Sequence, residues 1–216
     1  MKYLKKYKLF DSIDVFNLIK RHDIEAIKNI DKKELSIFSN ENTPLMYAIM
    51  KSDDKMVSLL IDKTENINYQ DYYTENALSV IFHAKSTKRI KILNILLTRD
   101  DLDINCIYEY NQNILMRYFY ELKRPSIPDF GDDENGLILN LPNKYTKLEK
   151  ANNDTLYDMI IILIKNGVDI THKSNDNLTF IDIIKNDKYL INRIKNECPT
   201  EYSQYERKMK VKKFNL

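Results

Sequence analysis

The sequence predicts an all-α solenoid of about five helix-turn-helix units with a long insertion in the fourth, and three observations carry that prediction. The phrase Asn42-Thr43-Pro44-Leu45-Met46-Tyr47-Ala48 opens a helical unit, and its register returns in worn form at Leu78, Leu115 and Ile181. The first two intervals are 33 and 37 residues, and the third, 66, is a normal repeat with about as much chain again inserted. Second helices keep the same register, as in Lys55-Met56-Val57-Ser58-Leu59-Leu60, Ile90-Lys91-Ile92-Leu93-Asn94-Ile95-Leu96 and Tyr157-Asp158-Met159-Ile160-Ile161-Ile162-Leu163-Ile164. One extended exit then recurs: Asn66-Ile67-Asn68-Tyr69-Gln70-Asp71, Leu102-Asp103-Ile104-Asn105 and Gly167-Val168-Asp169-Ile170-Thr171. A unit this short cannot bury its own apolar face and must lean on its neighbours.

Residues 8–37 make the first unit, with Ile13, Val15, Phe16, Leu18 and Ile19 lining one helix and Ile24, Ala26, Ile27 and Ile30 the other. Asp23 fits the N-cap of that second helix. Residues 38–70 form the best-preserved unit, with Pro44 in the first helical turn, where a missing N–H costs nothing. Residues 71–107 form the third, lengthened by about three residues in a turn at Lys85-Ser86-Thr87-Lys88. Residues 108–173 form the fourth, interrupted between its helices, and 174–197 a short fifth with Phe180, Ile181, Ile183, Ile184, Leu190, Ile191 and Ile194. The end, 198–216, is polar and basic, and Tyr202, Tyr205 and Met209 suit a capping stripe.

In these residues the chain resembles the ankyrin-repeat family, over roughly residues 10–197. Thr43-Pro44-Leu45 keeps the family's Thr-Pro-Leu, and Asn76-Ala77-Leu78, Asn113-Ile114-Leu115 and Thr179-Phe180-Ile181 are worn copies. The family's turn glycine is replaced by Glu41, Thr74, Asn111 and Asn177, of which only asparagine accepts a left-handed backbone readily. The resemblance implies an ankyrin-like solenoid whose role is to bind another protein, without catalysis. Worn repeats of this composition are similar to those of large DNA viruses and host-associated bacteria, which implies a host factor as partner and the host cytoplasm or nucleus as the compartment.

At 216 residues and 43% hydrophobic, the chain can bury a continuous core if its units stack. Its 34 basic and 32 acidic residues leave a net charge of +2, which disfavours nucleic acid as a partner. No run of about 18 apolar residues and no leader is visible, so the expectation is an intracellular protein that meets no membrane and acts as a monomer. Cys106 and Cys198 fall in different units, which predicts reduced thiols.

The insertion, residues 124–152, contains Pro125, Pro128, Pro142, Gly131 and Gly136, and so is not helical throughout. Its acidic Asp129, Asp132, Asp133 and Glu134 precede the apolar Leu137-Ile138-Leu139-Asn140-Leu141. It reads either as a solvated excursion or as a recognition arm.

No cofactor or metal site is predicted. Gly131, Gly136 and Gly167 are too scattered to cradle a phosphate, and Gly167 instead suits a helix C-terminus. His22, His83 and His172 lie in separate units, without the spacing that sets two imidazoles on one helical face. Neither cysteine has a local partner to activate it.

By register, the ankyrin-like groove would be lined by Asn40, Asn42, Met50 and Lys51, then Tyr72, Tyr73, Glu75 and His83, then Glu109, Tyr110, Gln112, Tyr120 and Glu121. Tyr69, Tyr72, Tyr73, Tyr108, Tyr110 and Tyr120 crowd its middle, and tyrosine offers wide contact area for little rotamer entropy. A compositional bias toward Ile, Asn, Lys and Tyr would also supply them. The basic ends, Lys2 to Lys8 and Arg207 to Lys213, admit an alternative: a nucleic-acid-associated or ubiquitin-ligase adaptor protein acting through its terminal segments.

Overall fold

The computed structural model describes residues 14–35, 42–123 and 144–214. In chain order the helices are α1 (Val15–Lys20), α2 (Ile24–Lys28), α3 (Pro44–Met50), α4 (Asp54–Ile61), α5 (Ser86–Leu96), α6 (Ile114–Lys123), α7 (Lys144–Lys165), α8 (Phe180–Ile183), α9 (Lys188–Glu197) and α10 (Pro199–Phe214). An inner row runs through α1, α3, the 3-10 turn Ser79–His83, α6 and α8. The outer row runs through α2, α4, α5, α7 and α9, and α10 closes the end against α9. The fold is the all-α repeat solenoid that the register predicts, with nothing beyond isolated β-bridges among the described residues. Leu45, Leu78, Leu115 and Ile181 are all buried.

The helix starts are written in side chains. Asp14, Asp23, Thr43, Asp53 and Asp187 each accept a hydrogen bond from the amide three residues on, and Asn113 does the same for Met116. Thr179 and Asp182 form a reciprocal capping box. At the end of α7, Gly167 takes φ +93°, and the amides of Gly167 and Val168 donate back to Ile164 and Leu163 at 3.0 and 3.2 Å.

Successive units are stitched by polar side chains reaching backbone. Lys63 Nζ donates to the carbonyls of Lys28 and Ile30, both at 2.8 Å, and Arg99 Nη1 donates to those of Ile61 and Thr64 at 2.5 and 3.1 Å. A cation thus sits at the negative end of each preceding outer helix. The recurring exits form a ladder of asparagines. Asn68 accepts from Asp103 N at 2.8 Å and Asn105 from Asp169 N at 2.8 Å, while their amides donate to the carbonyls of Asp101 and Gly167.

Asp54, buried at the start of α4, lies 2.6 Å from Lys88 Nζ and 2.5 Å from Lys91 Nζ of α5. Hydrogen bonds from Lys88 and then Lys91 hold its carboxyl down at about 2. A folded-state value below the unfolded one stabilises the fold above about pH 4, and that contribution disappears as pH falls toward about 2. Asp54→Asn is therefore expected to lower the urea midpoint at neutral pH. It should also flatten the loss of stability across that acid window, checked by repeating the titration at low pH.

Three segments differ from the sequence expectation. The third unit's first helix is a 3-10 turn, because Asn76 Oδ1 draws in the amides of Leu78 and Ser79 at 3.1 and 2.9 Å and tightens the chain before the β-branched Val80 and Ile81. Ser86-Thr87-Lys88 is the first turn of α5, not a loop. The fourth unit's second helix starts at Lys144, so the last residues assigned to the insertion are helical, and residues 124–143 lie outside the described residues. In α10, Tyr205 is buried and Tyr202 and Met209 pack on the core, the stripe expected of a cap.

Candidate functional site: the hairpin ridge

Hairpins at residues 71–75, 108–112 and 174–178 precede the inner helices of the last three units. In each, the first residue's N–H donates to the fifth residue's carbonyl, at 2.9, 2.9 and 3.0 Å. In the first and last, Thr74 and Asn177 donate back to Asp71 and Ser174 and take φ of 59° and 61°. Asp71 Oδ1 braces its turn by accepting from Tyr73 N and Glu75 N, both at 2.8 Å. In the middle hairpin, which opens on Tyr108, the turn lies one residue further along. Gln112 N donates to Glu109 O at 3.2 Å, and both Tyr110 and Asn111 become left-handed at φ 57° and 55°. Asparagine tolerates that region, whereas a Cβ-bearing ring system there is disfavoured by about 1–2 kcal/mol.

The turns place aromatic side chains in solvent. Tyr72 is 81% exposed, Tyr73 63% and Tyr110 70%. Tyr72 and Tyr73 meet edge to face at 5.4 Å. The hairpins are tied to one another: Glu109 N donates to Thr74 Oγ1 at 3.2 Å, Gln70 Nε2 bridges the carbonyls of Thr74 and Ile107, and Asn175 N donates to Tyr110 O at 2.9 Å. Asn111 Nδ2 donates to Lys173 O at 2.7 Å. The tips therefore form one braced ridge.

Beneath it, the Arg117 guanidinium lies between the rings of Phe82 and Tyr108, at 5.8 and 5.4 Å, and donates to Glu75 Oε1 at 2.6 Å. His83 Nε2 is 3.7 Å from the other Glu75 oxygen. His83 and Arg117 hold the Glu75 carboxyl below its ordinary range, so this charge is already neutralised within the protein.

Of the residues that the register assigned to the groove, Tyr72, Tyr73 and Tyr110 come together on the ridge, and Gln112 closes the middle hairpin. Glu75 and His83 lie just below, and Tyr120, on α6, is 43% exposed. Asn42, half-buried, stands just before α3; Met50 packs half-buried against the core, and Lys51 Nζ lies 5.1 Å over the Tyr47 ring. Asn40 lies outside the described residues. Two of the six tyrosines expected in the groove are elsewhere: Tyr108 is buried with its hydroxyl on Asn76 Oδ1 at 3.0 Å, and Tyr69 is packed against the core. The sequence reading missed Arg117 and Asp176. Asp176 was findable, since it holds the place before Asn177 that Tyr73 holds before Thr74.

Both cysteines are free thiols, and burial pushes Cys106 upward and Cys198 to about 11, so neither is a ready nucleophile. Among the described residues no cluster of His, Cys, Asp and Glu is placed to hold a metal, and no helix is long and apolar enough to cross a membrane.

Paired rows of short helices with finger-like hairpins along one edge define a helical-repeat protein. Residues 11–108 match the family model for ankyrin repeats (3 copies), which supports an ankyrin-repeat protein. The matched stretch covers the first units, and the same two rows continue beyond it through α6 to α9. No curated protein matches the chain. Ankyrin repeats are generally protein–protein interaction modules and typically not enzymes.

Proposed function

We propose that this chain binds a partner protein along the hairpin ridge and the adjoining inner helices, with Tyr72, Tyr73 and Tyr110 contributing most of the binding energy. The observation that carries this reading is Tyr110: a large side chain kept 70% exposed on a left-handed residue, where asparagine or glycine would favour folding more. Rigid, exposed aromatics with few rotamers to freeze are the usual anchors of an interface. Asn42, Met50, Lys51, Glu75, His83, Gln112 and Tyr120 extend the surface toward the inner helices. The resemblance to viral and bacterial ankyrin proteins supports a host factor as the partner.

The test is titration calorimetry of a partner isolated by affinity capture. Changing all three tyrosines to alanine is expected to leave helical content intact and weaken binding more than about tenfold, or above about 1.4 kcal/mol. Tyr110→Asn alone should move two quantities in opposite directions, raising stability by about 0.5–1 kcal/mol while weakening the partner. Undiminished affinity in the triple variant would retire the ridge as the binding face.

A further inference from the structure

We infer that the segment bound on the ridge is basic, presenting lysine or arginine side chains to the tyrosines; this deepens the proposed binding role and rests on it. The argument is one of which charges remain available. Of the acidic groups at the hairpins, Asp71 gives Oδ1 to its own turn amides, and Glu75 is taken by Arg117 and His83. Glu109 and Asp176 are exposed, and their carboxylates carry no hydrogen bond or ion pair among the described residues.

These two acids stand beside Tyr110. Glu109 is its chain neighbour, and Asp176 follows Asn175, whose amide is bonded to Tyr110 O at 2.9 Å. On the other side, Glu109 N is bonded to Thr74 Oγ1, which brings the tip carrying Tyr72 and Tyr73 alongside. Of the described cations nearby, Arg117 is stacked and paired with Glu75, while Lys173 Nζ turns onto Asn177 Oδ1 and Lys208 Nζ onto Thr171 Oγ1; these neutral acceptors hold the two ammonium groups without neutralising them, and neither group lies on Glu109 or Asp176. The ridge therefore combines exposed π-faces with free negative charge, and the chemistry that meets both is an ammonium or guanidinium group on a hydrophobic stem. Such a surface steers a basic segment in and repels an acidic one.

The experiment selects phage-displayed random short peptides on the immobilised full chain and compares them on the variant with Tyr72, Tyr73 and Tyr110 changed to alanine. Peptides that need the three tyrosines are expected to be rich in lysine or arginine. By fluorescence polarisation they should bind at least about tenfold more weakly to Glu109→Gln/Asp176→Asn, and more weakly as salt is raised. Both substitutions lie on exposed side chains, and circular dichroism confirms that the fold is kept. Tyrosine-dependent peptides that are acidic or purely apolar would overturn the basic-partner inference and leave the ridge as the binding face. Basic peptides indifferent to the tyrosines would overturn the ridge reading itself, and selection without any tyrosine-dependent basic peptide would overturn the inference as well.

Discussion

Leu78→Ala is expected to lower the free energy of unfolding by about 2–5 kcal/mol, measured by urea denaturation followed by circular dichroism. Leu78 is fully buried in the inner row, and the loss combines its transfer from water with the cavity left behind. Relaxation is restricted there, because the Leu78 carbonyl accepts the hydroxyl of buried Tyr118 at 2.5 Å, fixing the backbone against the next unit. In a stack where each unit touches only its neighbours, a weakened third unit also loosens the interfaces on either side. A change within about 0.5 kcal/mol would place Leu78 at the surface and contradict the register.

Arg99→Ala is expected to cost about 1.5–3 kcal/mol in the same measurement, far more than an ordinary surface change. Arg99 joins units: Nη1 satisfies the carbonyls of Ile61 and Thr64 at the end of α4, while Nε and Nη2 grip Asp101, each at 2.7 Å. Removing it leaves part-buried carbonyls without a donor and takes a cation from the helix terminus. Asp101→Asn separates the two roles. It loses the ion pair yet leaves the carbonyls bonded, and should cost less than half as much.

The repeat register was legible because its signals are local. A cap such as Thr43 or Asp53 acts within a few residues of its own position, and the apolar residue two positions on from Thr43 and the Asn of the exit loop recur at fixed offsets within each unit. What escaped depends on less local partners or on missing periodicity. The first turns of α7 are mostly polar and charged and carry no apolar stripe wide enough to announce a helix, whereas in α10 the stripe of Tyr202, Tyr205 and Met209 was legible and its helical extent, packed on α9, was not. Asn76 reads as a worn cap, and nothing in the sequence shows that its Oδ1 gathers the amides of Leu78 and Ser79 together with the hydroxyl of Tyr108, a unit away.

The site divides the same way. Exposure of Tyr72 and Tyr73 follows from their places at the centre of a turn, which the chain displays openly. Tyr108 and Tyr110, two residues apart, looked alike in sequence. One is buried and the other exposed because Tyr108 hydrogen-bonds into the core and the turn slides past it. Arg117 was invisible as a groove residue, since its partner Glu75 belongs to the preceding unit and meets it only when the stack forms.

Amide hydrogen exchange, recorded with and without the captured partner, tests the central claim most directly. Binding on the ridge predicts new protection concentrated in residues 71–75, 108–112 and 174–178 and in the inner helices behind them, with α2, α4 and α5 unchanged. Protection confined to the outer row or to α10, with the three hairpins exchanging as they do in the free chain, would contradict it.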